Sequence, residues 1–179
     1  ASRWPHMFMT LTPTYMGIAQ AAYDFAVAYL RADMEGVGVK RRMYPTKQYA
    51  VAEMRIKLEQ TRALFLQNAF DARIDPDKDT RMRLYAAHYT IMENANDICR
   101  LAIRTCGGQS MLRSLPLERM YRDSRCGALM LPYTSEIMED YIGVLALYEM
   151  DEVDTAPGDE GGARNSLWRG DNGTLRALR

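Results

Sequence analysis

Leu84, Ala87, Ile91, Ala95, Ile98 and Ala102 recur at spacings of three and four through a run that contains no glycine and no proline. A half-buried strand would alternate with a period of two; a period near 3.6 puts these six side chains on one face of an α-helix. The stripe is rich in alanine, and small side chains let neighbouring helices approach closely. The segment is therefore predicted to be the central, most crowded helix of a bundle, starting around Asp79 or Thr80 and stopped by Gly107-Gly108.

Two more long segments have the same period. Thr12-Pro13 offers an N-cap followed by proline at the first helical position, and Ile18, Ala22, Phe25 and Tyr29 follow at spacings of four, three and four. This helix is expected to end near Gly36, where Gly36-Val37-Gly38 supplies the breaker. Pro45 opens the next, with Val51, Met54, Leu58, Phe65 and Ala69 on one face, running to about Arg73 before the turn Asp75-Pro76-Asp77. A short helix around Leu117 to Asp123 follows. A last amphipathic helix, capped by Thr134 or Ser135, carries acidic Glu136, Glu139 and Asp140 in its first turns, where the positive end of the helix dipole favours them. No strand-like alternation of any length occurs, so the fold class is all-α, a four-helix-type up-down bundle. Residues 1–10 read as a linker from an upstream domain, 11–150 as the bundle and 151–179 as a flexible, disordered tail whose Gly, Asp and Arg give no periodic apolar face.

The chain is the size of one ordinary domain, and a hydrophobic content of 47% is enough for a real core. Its 23 basic and 23 acidic side chains cancel, so no long-range field draws it toward nucleic acid or an anionic membrane. No apolar run reaches the roughly 18 to 20 residues of a membrane span. Cys99, Cys106 and Cys126 are an odd number without Cys-x-x-Cys spacing, which suits a reduced compartment, with the cytoplasm as the default. The 13 methionines are scattered and read as packing. The opening Ala-Ser-Arg-Trp-Pro lacks an initiator methionine and reads as a cut or processed end.

With only His6 and His88 available, sites that rely on imidazole are mostly excluded, and His88 reads as a packed or surface histidine. There is no Glu-x-x-His pair for a di-iron site and no cysteine spacing for zinc or covalent haem, so no metal is expected. Neither a phosphate loop nor Gly-x-Gly-x-x-Gly occurs, so any nucleotide cofactor is held with help from elsewhere. The remaining constellation is Arg104-Thr105-Cys106-Gly107-Gly108-Gln109, then Pro116-Leu117-Glu118-Arg119 through Arg122-Asp123-Ser124-Arg125, then Tyr133-Thr134-Ser135-Glu136-Ile137. A Gly-Gly turn admits close approach of backbone to a ligand, and a helix N-terminus offers amides to a phosphate or hydroxyl.

The order and spacing of those pieces resemble the C-terminal domain of acyl-CoA dehydrogenases, with its Gln-x-x-Gly-Gly, then proline eight residues on in Pro-x-Glu-Arg-x-x-Arg-Asp-x-Arg, then Tyr-Glu-Gly-Thr-Ser-Glu-Ile. Gly17-Ile18-Ala19-Gln20 and Ala52-Glu53-Met54 resemble the family's segments on the first and second helices, and the likeness covers roughly Trp4 to Tyr148. The resemblance implies a longer flavoprotein subunit that binds FAD between domains and partly across a subunit interface, in a homo- or hetero-oligomer. It implies α,β-dehydrogenation of an acyl-CoA substrate; the electron acceptor is not specified. Carried over by position, Arg104, Gly107 and Gly108 face a neighbouring subunit's FAD, and Thr134, Ser135 and Glu136 contact the subunit's own.

The pattern is broken where the resemblance would place the catalytic base. The usual glutamate falls at Pro132, and the alternative position used by a branch of the family falls near Met7; neither is a carboxylate. The Arg-x-x-Phe-Gly segment after the first helix is missing, with Arg41-Arg42 the candidate substitute, and Arg104 replaces the usual glutamine. Three readings follow: a subunit that keeps the flavin contacts but lacks its own base, an enzyme with a shifted base at Glu136 or Tyr133, or a purely structural oligomerisation bundle.

Overall fold

A computed structural model of the chain describes residues 9–32, 40–131 and 134–148. Five α-helices lie among them: α1 (Thr12–Arg31), α2 (Pro45–Asp71), α3 (Lys78–Cys106), α4 (Leu117–Leu129) and α5 (Ser135–Leu147). Single 3₁₀ turns at Arg41–Met43 and Gly108–Met111 link them, and no strand occurs among the described residues. The tail, the linker up to Phe8, and Gly36-Val37-Gly38 lie outside the described residues.

The long helix read from the alanine stripe is the axis of the bundle. All six stripe residues of α3 are buried, and α1, α2, α4 and α5 each pack against it. It starts at Lys78, slightly earlier than expected, because Asp77 is the true cap: its carboxylate accepts the Thr80 N–H at 2.7 Å. Asp75 supplies the turn before it with φ 50°, a conformation that a short polar side chain tolerates.

α1 differs from its expected register at both ends and on its face. Leu11 is the cap residue, and Thr12 lies inside the helix with its hydroxyl donating to the Met9 carbonyl at 2.8 Å. The helix stops at Arg31, because Ala32 turns extended. Its buried stripe is Tyr15, Ala19, Ala22, Ala26 and Leu30, leaving the expected Ile18, Phe25 and Tyr29 packed at the edge. α1 packs along α3, and Ala19, Ala22 and Ala26 share one buried cluster with Ala95 and Ala102, with the larger side chains at its flanks.

On α2 the face expected from Val51 to Ala69 is shifted. Met54, Leu58, Thr61 and Asn68 are buried, Val51 and Phe65 are half-buried, and Ala69 is exposed. Polar residues enter this interface because they find partners: Asn94 donates to the Thr61 hydroxyl, and Lys57 donates to Asp97 at 3.0 Å. α4 continues past the expected Asp123 to Leu129, since Ser124, Gly127 and Ala128 are small enough to sit flush on the bundle. A Cβ at Gly127 would lie 2.5 Å from the Met92 sulfur and 2.8 Å from the Tyr15 ring, so only glycine permits this approach.

The core has two parts. The larger joins α1, α2, α3 and α4, with Met54, Met92, Ile98 and Leu117 among its most buried side chains. The smaller seats α5 on the first half of α3 through Tyr85, Ile137, Met138 and Leu145, and the Tyr85 and Tyr141 rings lie 5.4 Å apart. His88 is a packed histidine, and burial pulls its pKa down to about 4. No helix among the described residues is long and apolar enough to cross a membrane.

Candidate functional site

The first group of candidate residues sits where α3 ends. Gly107 closes the helix with its N–H on the Ile103 carbonyl at 2.8 Å and a backbone of φ 87°, ψ −177°, a region that essentially only glycine occupies. A Cβ at Gly107 or Gly108 would meet nothing within 4 Å, so the constraint is conformational and the outer surface of the turn is open. The Ser110 hydroxyl donates to the Gly107 carbonyl at 2.7 Å and locks the following 3₁₀ turn.

Arg104, one turn before the glycines, lines a cleft of about 450 Å³ with Thr46, Lys47, Tyr49, Glu53 and Leu101. The Lys47 ammonium donates to the Thr105 carbonyl, one of the last carbonyls of α3. Arg41, the candidate substitute for the missing arginine segment, lies 4.1 Å over the Tyr29 ring and donates to the Tyr29 carbonyl. Tyr29 in turn donates to Gln109 at 3.2 Å, tying the end of α1 to the Gly-Gly turn. Three cations thus gather at the negative end of the α3 dipole. Burial raises the Cys106 thiol to about 11, so it stays protonated beside this cleft.

The second group sits at the start of α5. Thr134 is the cap, its hydroxyl accepting the Ile137 N–H at 3.4 Å. Ser135 is buried and donates to Glu93 of α3 at 2.5 Å. Arg125 of α4 donates to both oxygens of the same carboxylate, at 3.2 and 3.0 Å. Glu93 therefore pins α4 and the first turn of α5 to the central helix. Glu136 is exposed; its own backbone N–H, then the Thr134 side chain, hold its carboxyl below the ordinary range, so it remains a carboxylate. Nearby, a hydrogen bond to Glu139 raises the Tyr89 phenol.

The two groups do not meet. Glu93 and Arg104 are eleven residues apart on α3, which is roughly 16 Å at the rise of an α-helix. Pro132, Tyr133 and Met7, the positions tied to the base, lie outside the described residues. Among the described residues no three His, Cys, Asp or Glu side chains come together as a metal site.

Glu93 and Lys47 were not legible as site residues. Glu93 lies 32 and 42 residues from its partners, and a lone acid beside Asn94 on a helix carries no linear signal. Lys47 could have been suspected from its place just after Pro45, where a cation is at the unfavourable end of its own helix and needs another anion.

Residues 6–144 match the family described as acyl-CoA dehydrogenase, C-terminal domain. The chain belongs to this family. Its relatives include L-evernosamine nitrososynthase of a Micromonospora species, 32% identical over 148 residues, covering 78% of this chain and 34% of that protein. Another is the short-chain specific acyl-CoA dehydrogenase of Bos taurus mitochondria, 33% identical over 112 residues, covering 62% and 26%. Among solved structures, the nitroalkane oxidase of Podospora anserina superposes with a TM-score of 0.72 at 17% identity, over 83% of this chain and 35% of that one, a likeness of fold. The chain spans about a third of the length of the relatives it matches, or less. Flavin proteins stand among the solved structures that this acyl-CoA dehydrogenase-family domain resembles, including the flavoprotein nitroalkane oxidase and KijD3 in complex with FMN.

Proposed function

We propose that this chain is the wall of a flavin site and an oligomer-forming bundle in a longer acyl-CoA dehydrogenase-type oxidoreductase. The observation that carries the reading is the end of α3, where a glycine-only backbone with an open face adjoins a cleft lined by Arg104 and Lys47. That donor set fits an anionic group: Arg104 can chelate phosphate with two parallel donors, Lys47 adds a point charge, and no Cβ blocks approach to the turn. In this reading Arg104, Gly107 and Gly108 hold the phosphates of a neighbouring subunit's FAD, and Thr134, Ser135 and Glu136 border the subunit's own. The separation of the two groups on α3 supports their facing different flavins. The flavin, when bound, supplies hydride acceptance during α,β-dehydrogenation of an acyl-CoA thioester.

The chain's own residues then bind and orient. Glu93 holds the α5 N-terminus in place through Ser135 and Arg125, so that Thr134 keeps its position. Glu136 is a carboxylate at neutral pH on the surface of this domain, which suits a base only if another domain covers it. In the full-length protein, Gly107→Ala is expected to lower flavin content in the purified protein while this domain still folds. Undiminished flavin absorbance in that variant would refute the assignment of the turn.

A second reading is favoured by the base positions, Pro132 and Met7, neither of which carries a carboxylate. The nitrososynthase relative matches a larger share of this chain than the short-chain dehydrogenase does. A nitroso group is made at an amine nitrogen, chemistry that does not begin with removal of a carbon-bound α-proton by a carboxylate. The two readings separate on the full-length protein. Anaerobic bleaching of the flavin by acyl-CoA thioesters supports dehydrogenation, whereas oxygen consumption with amino sugars and no bleaching by thioesters supports amine oxidation.

A further inference from the structure

A second groove, of about 400 Å³, runs between the end of α1 and the start of α2 and shares only Lys47 with the Arg104 cleft. The two helices are antiparallel along it: Arg42 donates to the Arg31 carbonyl at 2.8 Å at one end, and Arg62 donates to Gln20 further along. Tyr23, Val27 and Leu30 recur at spacings of four and three on the α1 side, and Val51 and Ala52 line the α2 side. This floor is apolar and rests on the core, since Leu30 is buried and Tyr23 and Val51 pack against the larger core cluster. The rim is cationic. Arg31, Arg42, Lys47 and Arg55 line it, and among the described residues no carboxylate does. These cations are unevenly placed. Arg55 stands about two turns along α2 from Lys47 and is balanced by Glu59 at 2.7 Å, whereas Arg31, Arg42 and Lys47 gather where α1 stops and α2 starts. The N-terminus of α2 adds the positive end of its dipole to that corner.

We infer that this groove binds a single-chain amphiphilic anion, its head among Arg31, Arg42 and Lys47 and its aliphatic chain along Val27 toward Tyr23. Charge complementarity sets the head: two guanidinium forks and an ammonium at one corner suit a carboxylate or phosphate and repel a cation. The floor sets the rest of the molecule. A peptide or a sugar would leave polar groups unpaired against Val27, Val51 and Ala52, whereas a hydrocarbon chain has none to pair. The volume lies in the range of small-molecule sites. Arg31 and Tyr23 are eight residues apart on α1, roughly 12 Å of helix. An extended chain on the order of ten carbons, with C–C bonds of about 1.5 Å, spans that distance.

Isothermal titration calorimetry of decanoate and of decyl phosphate into the 179-residue chain tests the assignment. Saturable one-to-one binding of either is expected, with hexanoate weaker than decanoate by about tenfold or more because it covers less of the floor. Decyltrimethylammonium, with the same chain and the opposite charge, is expected not to bind. Ala52→Phe places a ring in the groove from an exposed position, and Arg31→Glu reverses one charge at the head. Each should weaken the better of the two anions by about tenfold or more with helical circular dichroism unchanged. No saturation at millimolar decanoate or decyl phosphate overturns the site. So does equal binding of hexanoate and decanoate, equal binding of the ammonium, or unchanged affinity in either folded variant. A chain that sediments as a dimer and becomes a monomer with Ala52→Phe has a second copy in the groove, which also overturns the ligand. Should Arg31→Glu lose helix, Ala52→Phe and the ammonium comparison decide.

Discussion

Gly127→Ala adds one methyl group at the tightest point of the bundle, and its effect can be worked from three distances. The new carbon would lie 2.5 Å from the Met92 sulfur and 2.8 and 2.9 Å from two carbons of the Tyr15 ring. Unstrained contacts are about 3.5 to 4.0 Å, so each neighbour must retreat by the better part of an ångström. The Met92 thioether is flexible, but it is 1% exposed and has no solvent to move into; the Tyr15 ring is 6% exposed and wedged between α1 and α4. Overpacking of this kind costs about 1 to 3 kcal/mol. Against it stands the better helix propensity of alanine, about 0.8 to 1 kcal/mol. The net loss is then on the order of 1 kcal/mol.

Gly143→Ala in α5 is the matched control, because a Cβ there meets nothing within 4 Å and only the propensity gain remains. Thermal unfolding of the chain followed by circular dichroism should place the control above the wild type and Gly127→Ala below it. For a domain of this size about 1 kcal/mol moves Tm by roughly 2 to 4 °C, so the two variants should differ by roughly 4 to 8 °C. If Gly127→Ala melts at or above the control, Met92 and Tyr15 yield freely and the account of close packing at α4 is wrong.

Glu93→Gln should retain one acceptor for Ser135 but lose the charge that Arg125 grips, lowering stability by about 1 kcal/mol, since the pair is partly solvated. Urea unfolding that shows no change would mean that Glu93 does not hold α5. His88 is kept neutral in the folded chain with its pKa near 4, whereas an unfolded histidine titrates near the ordinary 6.5. As pH falls below about 6.5 the unfolded state takes up a proton that the folded state refuses, so stability declines until about pH 4, by at most about 3 kcal/mol, and then levels off. His88→Gln should flatten the slope above pH 5; an unchanged slope would assign it to another group. Asp77 and Glu136, held low by helix N-terminal amides, add their own loss only at more acidic pH. Iodoacetamide under native conditions should label Cys126, which is exposed, and spare Cys99 and Cys106, which are buried with thiols raised to about 11. Mass spectrometry finding Cys99 labelled first would contradict the packing of the α3 core.

What was local could be read from the chain alone. The α3 stripe is a matter of period and the glycine stop after it a matter of backbone chemistry within a few residues, and both appear in the structure where the sequence put them; of the two cap candidates for α5, Thr134 and Ser135, the structure selects Thr134. The same holds for the family, since four short motifs in order survive in Gly17 to Gln20, Ala52 to Met54, Gly107 to Asp123 and Thr134 to Ile137. The tertiary structure alone decided which of two adjacent stripes on α1 faces inward, because Ala19 and Ala26 enter the buried cluster only once α3 packs against α1. It decided that Glu93 joins Arg125 and Ser135, and that Gly127 meets Tyr15, across separations that no periodicity encodes. Period and capping depend on hydrogen bonds within about four residues, whereas burial and pairing depend on whatever the fold brings to the other side of the contact.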